Sequence, residues 1–180
     1  MSHPFFTIGH STRSVAKLAE LLRQSQVEQL VDVRTIPRSR TNPQFNADVL
    51  PDALAPFQIG YEHIAALGGL RGKRKAAGPS PNTFWRVKSF QNYADYALTA
   101  GFGSGLARLK AIGQEHRCAI MCAEAVWWRC HRRIIADYLL AGGADVFHIM
   151  GPGHVDAATL TPGAVVRARD AIVYPGAEAN

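Results

Sequence analysis

A three-layer α/β domain, with a mostly parallel sheet and helices on both faces in the Rossmann-like or flavodoxin-like manner, is the fold class this sequence predicts. Three observations lead to it. Short apolar runs bounded by turn residues alternate with segments whose apolar residues recur at helical spacing, the pattern of βαβ units. One such run, Cys118 to Ala123, reads as a fully buried parallel strand and passes straight into a helical pattern ending at Gly142 and Gly143. At 180 residues the chain has the length of one α/β domain, without a convincing linker or internal repeat.

Taken in order, Phe5 to Gly9 is a strand, and Ser11 or Thr12 can cap the helix carrying Val15, Leu18, Leu21 and Leu22 on one face. Gln29 to Ile36 is a second strand ended by Pro37. Residues Ala47 to Phe57 suit a short helix broken by Pro51 and Pro56, and Ile59 to Ala65 a third strand. From 67 to 89 the periodicity fails, giving a long basic loop with Arg71, Lys73, Arg74, Lys75 and the pair Phe84 and Trp85; such loops are lids or mobile segments. Two helical patterns, Phe90 to Leu98 and Gly105 to Ile112, are separated by Gly101 and Gly103. The focal strand and a helix from about Trp128 to Ala141 come next, followed by a buried strand at Asp145 to Met150 containing His148. Val165 to Arg167 and Ile172 to Tyr174 suit short edge strands, and 175–180 a frayed tail.

Composition narrows the function classes. No apolar run approaches the ~20 residues needed to span a bilayer, which excludes a helical membrane span. The first residues lack the marks of a signal peptide, and three cysteines make no disulfide framework; both features suit a cytoplasmic protein with free thiols. A net charge of +6 favours an anionic partner, a small molecule or nucleic acid.

In such sheets ligands bind beyond the carboxyl ends of the strands. His10 and Ser11 end the first strand, Asp32 and Arg34 the second, Cys122 and Glu124 the focal strand, and His148 lies near the end of the last. Cys130, beside His131, Arg132 and Arg133 at the start of the focal helix, is placed where a helix amino end and cations favour a thiolate. The alternative is plain packing, since cysteine is among the most buried residue types, and Cys118 reads as core. Glu124 needs a cationic partner, Arg34 or Arg132, or else acid–base work. His148 suits a core histidine. Cys122, Cys130, His131 and His10 could form a tetrahedral metal site, although seven residues between the cysteines is wider than zinc motifs use.

The motifs TIGHS at Thr7 to Ser11, VDVR at Val31 to Arg34 with Pro37 and Ser39 after it, LGG at Leu67 to Gly69, MCAE at Met121 to Glu124, CHR at Cys130 to Arg132 and HI at His148 and Ile149 stand in this order. Together they resemble the family called domain of unknown function 488, over roughly Phe5 to Met150. The resemblance implies a common site of His10, Ser11, Asp32, Arg34, Cys122, Glu124, Cys130, His131 and Arg132, without naming its task. Where relatives carry a polar segment before CHR, this chain has Val126, Trp127 and Trp128, which could stack on a base, form a lid, or cover the core or a dimer interface.

The leading expectation is a protein that binds an anionic nucleotide or nucleic-acid ligand and uses its thiols as a cysteine-dependent transferase or hydrolase. Ser11, Asp32, Arg34, Arg38, Ser39 and Arg132 would hold the ligand. Cys130 or Cys122 would be the nucleophile, with Glu124, His10 or His131 carrying protons. Two alternatives stand beside it: a non-catalytic nucleic-acid-binding module using the basic loop and tryptophans, and a metal-dependent enzyme with Cys and His ligands. The sequence leaves the cofactor unknown.

Overall fold

The strand β1 (Phe5–Gly9) occupies the middle of a six-stranded sheet and is buried at every position, so it needs no polar alternation. In the computed structural model, which describes residues 2–75 and 78–177, it pairs in parallel with β4 (Cys118–Cys122) and with β5 (Val146–Gly151). β4 pairs in turn with β2 (Gln29–Asp32), and β2 with β3 (Gly60–His63), all parallel. β6 (His154–Ala157), which the sequence did not signal, adds an antiparallel edge to β5. The order β3-β2-β4-β1-β5-β6 sets β4 between β1 and β2. The mouths of these three strands therefore adjoin.

Two apolar cores cover the two faces. On one, α1 (Val15–Gln24) and α2 (Leu50–Leu54) bury Leu18, Leu22, Leu50 and Leu54 against Phe6, Ile8, Leu30 and Met121. On the other, α3 (Lys88–Tyr96), α4 (Ala100–Glu115) and α5 (Arg132–Ala141) bury Tyr93, Phe102, Leu109, Ile134 and Ile135 against Phe5, Val31, Val33 and Ile120. Alternate residues of one strand thus serve opposite cores, as the period-2 geometry of a strand requires.

Several boundaries differ from the sequence expectations. α1 is capped by Ser14, whose hydroxyl accepts from the Lys17 amide, and not by Ser11 or Thr12. Gly101 and Gly103 lie inside α4, because Thr99 caps the helix ahead of them and packing outweighs their low propensity. The second strand stops at Asp32. The focal helix begins at Arg132 and not near Trp128; Trp127–Arg129 form a separate 3₁₀ turn. β7 (Val165–Val166) and β8 (Ile172–Val173) pair with each other as a small ribbon rather than extending the main sheet.

The 67–89 segment is anchored in its second half. Asn82 is buried and donates to Asp95, Trp85 packs against Phe90 and Tyr174, and Phe84 N–H donates to Tyr174. Within the expected tail, Gly176 N–H donates to Thr83, while 178–180 lie outside the described residues.

Candidate functional site at the mouth of the central strands

The close meeting of two chain segments builds the site. At the end of β1, Gly9 lies so near the Glu124 carbonyl and Ala125 that a Cβ there has no room. Beyond it the His10 amide donates to the Cys122 carbonyl and the Ser11 amide to that of Ala123, so the two strand ends remain paired. Ser11 itself takes φ +50°, turning the chain away.

His10 is buried and stacked on Phe45, with ring centroids 4.4 Å apart. Its Nδ1–H donates to the Ser11 carbonyl at 2.8 Å, which leaves Nε2 as an acceptor 3.4 Å from Arg34 Nη1. Burial first, and the Arg34 charge next, hold the imidazole below its ordinary range, so it is neutral.

Arg34 forms a two-point pair with Asp32, Nε to Oδ1 at 2.9 Å and Nη2 to Oδ2 at 2.7 Å, and Nη2 also donates to the Phe45 carbonyl. Tyr61 donates to the same carboxylate. Asp32 is therefore a buttress under Arg34 and does not face a ligand.

The β4–α5 junction is built differently. Arg132 is fully buried and has no carboxylate partner among the described residues. Its Nη1 donates to Cys122 Sγ at 2.8 Å and to the Glu124 carbonyl at 2.8 Å, its Nη2 donates to the Ala125 carbonyl, and its Nε is unpartnered. Burial would raise the Cys122 thiol; the neighbouring Cys130 thiol and the Arg132 charge outweigh it and bring the group down to about 7. Cys130 moves the opposite way, raised by burial and by its neighbour's negative charge.

Of the two candidate thiols, Cys122 and not Cys130 is the one that meets a guanidinium. Cys130 precedes the helix, and its thiol lies 3.4 Å from His131 Nδ1. His131 donates through Nε2 to the Val33 carbonyl at 2.7 Å, so Nδ1 carries the lone pair, and burial pushes its pKa down to about 4. Gly69 of the LGG motif lies flat against this ring, where a Cβ would collide with it.

Glu124 contradicts the expectation of a paired carboxylate. It is exposed, and Arg132 takes its backbone carbonyl rather than its side chain. The proposed metal set does not converge either: among the described residues no three His, Cys, Asp or Glu groups are placed to share an ion. One nitrogen of each ring is held by a backbone carbonyl, and the nitrogens left over face different partners, His10 Nε2 the Arg34 guanidinium and His131 Nδ1 the Cys130 thiol.

A cavity of about 580 Å³ opens over this junction. His10, Arg34, Arg38, Ser39, Cys122, Glu124, Cys130 and His131 line it, while Ser11, Asp32 and Arg132 sit outside the lining. Sequence reasoning missed Arg129, Thr35, Ile36, Leu70 and Phe90, which complete the wall. Thr35, Ile36, Leu70 and Arg129 come from loops and a short turn where no periodicity marks a residue, and Phe90 from the first turn of α3. The 71–75 cations line a different hollow with Asn92, Asp95 and Tyr96, and Arg71 lies over the Tyr96 ring at 3.8 Å. Trp127 is stacked on His148 at 4.5 Å and so covers the sheet end; Trp128 remains exposed. His148 is buried and hydrogen-bonded to Thr7 at 2.7 Å, a core histidine as expected.

The family model described as Domain of unknown function DUF488 matches residues 14–139, a span holding every one of these site residues except His10 and Ser11. No curated protein and no solved structure matches the chain.

Proposed function

The chain belongs to the DUF488 family, and from that premise we propose that its strand-mouth cavity is the active site of a thiolate-dependent transferase or hydrolase acting on a small anionic substrate. One observation carries the reading: Cys122 Sγ, at the tip of a central strand and on the cavity wall, sits 2.8 Å from a buried guanidinium that no carboxylate among the described residues neutralises. A buried cation in that state favours an anion beside it, and the thiolate is the group at hand.

In this reading Cys122 attacks the electrophilic atom of the substrate and holds the transferred group covalently. Arg38 and Arg129 at the rim, with the free edge of Arg34, receive the substrate's anionic part. Neutral His10 offers a proton acceptor at Nε2 once a ligand displaces its contact with Arg34. A hollow of this size suits one small molecule or nucleotide better than a nucleic-acid strand.

Alkylation tests the reading. Iodoacetamide at neutral pH, followed by peptide mass spectrometry, is expected to modify Cys122 before Cys118, whose thiol burial holds up to about 12. Nucleotides that occupy the cavity should slow the reaction. If neither Cys122 nor Cys130 is alkylated, the nucleophile is lost and the proposal with it.

A further inference from the structure

A transferase or hydrolase that works through one cysteine has no use for a second thiol at the same sulfur. Yet Cys122 and Cys130, with seven residues between them in the chain, line one cavity, and each thiol shifts the ionisation of the other. Each sulfur also has its own attendant. Arg132 Nη1 donates to Cys122, and the lone pair of His131 Nδ1 faces Cys130 at 3.4 Å. One sulfur is arranged to be an anion, and the other to stay protonated beside a neutral base.

We propose that Cys122 and Cys130 form a two-thiol centre that reduces a small anionic disulfide bound in the cavity and become linked to each other in the process. The inference rests on the reading of Cys122 as nucleophile and adds a substrate class and a partner for it.

The steps balance. Cys122 thiolate attacks one sulfur of the substrate R–S–S–R′; that S–S bond breaks, a Cys122–S–S–R bond forms, and R′–S⁻ leaves and takes a proton from water. Cys130 then attacks the Cys122 sulfur, its proton passing by way of His131 Nδ1 to the departing R–S⁻. Two electrons have moved from the protein thiols to the substrate, which leaves as two thiols, and the protein holds a Cys122–Cys130 disulfide. An external dithiol reductant restores the resting pair.

The cavity argues for an organic disulfide with negative groups. Arg34, Arg38 and Arg129 supply cations, while Ile36, Leu70 and Phe90 supply an apolar wall that a peroxide would not need.

The test uses the full chain and the dianionic aromatic disulfide 5,5′-dithiobis(2-nitrobenzoate) at neutral pH, read by thionitrobenzoate absorbance and by intact and peptide mass. The expected result is two equivalents of thionitrobenzoate released in the fast phase, no retained adduct, and a peptide cross-link between Cys122 and Cys130. Cys130→Ser should release one equivalent and keep the nitrobenzoate on Cys122. The uncharged 2,2′-dithiodipyridine, scaled to its rate with a free thiol, should react at least about tenfold more slowly with the wild type. The wild-type protein decides the matter whether or not the variant folds. One equivalent with a lasting adduct on Cys122 overturns the two-thiol centre, and equal scaled rates for both probes overturn the anionic substrate class. Iodoacetamide separates the two claims: if Cys122 is alkylated but no cross-link forms, this inference fails while the nucleophile stands; if Cys122 is inert to both reagents, both fall.

Discussion

Two buried arginines stand at neighbouring strand mouths and do opposite things. Arg34 at the end of β2 is closed by a two-point pair with Asp32. Arg132 at the start of α5 has only a thiol and two backbone carbonyls. The difference lies in the counter-ion. A carboxylate close in sequence satisfies the first guanidinium within the scaffold, whereas no carboxylate among the described residues reaches the second, and in the proposed reading an ionised Cys122 balances it. Burial alone therefore does not mark a reactive site; an incompletely matched charge does.

Breaking the matched pair should have the largest effect on the fold. Asp32→Ala leaves Arg34 buried without its counter-ion and removes the Tyr61 acceptor, so urea unfolding should report a loss of roughly 3–5 kcal/mol. A loss below about 1 kcal/mol would mean that Arg34 escapes to solvent and is not held as described.

The unmatched charge should show itself in reactivity. Arg132→Met removes the cation beside Cys122 and returns the thiol to the raised range that burial dictates. The alkylation rate at neutral pH should fall by at least about tenfold, corresponding to a rise of one pKa unit or more. In the wild type the same rate should climb with pH to a midpoint near 7, below the range of an ordinary thiol. A variant that keeps the wild-type rate profile would assign the thiolate to some other cause.

A smaller effect concerns the neutral histidines around both arginines. His10, His131 and His148 are all held below the ordinary imidazole value, chiefly by burial, the last two to about 4. The unfolded chain therefore binds protons that the native state refuses. Stability should be intact above about pH 6.5 and decline as pH falls from there toward 4. Urea midpoints measured across that window check this, and a flat profile contradicts it.

The smallest change is expected at Glu124. Its carboxylate is exposed and pairs with neither arginine, so Glu124→Gln should shift the unfolding midpoint by less than about 0.5 kcal/mol. A larger loss would restore the carboxylate to the structural role that its place in the sequence suggests.

Much of this arrangement is legible in the chain. The buried runs FFTIG and CAIMC announce the central strands, because a strand covered on both faces has no need of polar residues. The rule that ligands gather at strand ends selected His10, Arg34, Cys122 and Cys130, and all four line one cavity. Other features were hidden. β6 is exposed at every position and only four residues long, too short for its alternation to stand out, and its pairing with β5 supplies the order. Arg129 and Leu70 reach the cavity from irregular segments, and Phe90 from the first turn of α3, where helical spacing marks a core residue and not a cavity wall. The start of α5 was obscured because Trp127–Arg129 continue a helical-looking pattern into a separate turn.

The sequence by itself determined the α/β class, the strands that carry the site and the chemical types gathered at their tips, because periodicity and residue chemistry are local properties. Which thiol meets the cation was decided only in three dimensions. Chain spacing places Cys130 beside three basic residues and Cys122 beside none, yet the guanidinium of Arg132 turns back across ten residues to Cys122, and Cys130 meets an uncharged imidazole. Charge acts through distance in space and through the water it is denied, and neither quantity is written in the order of residues.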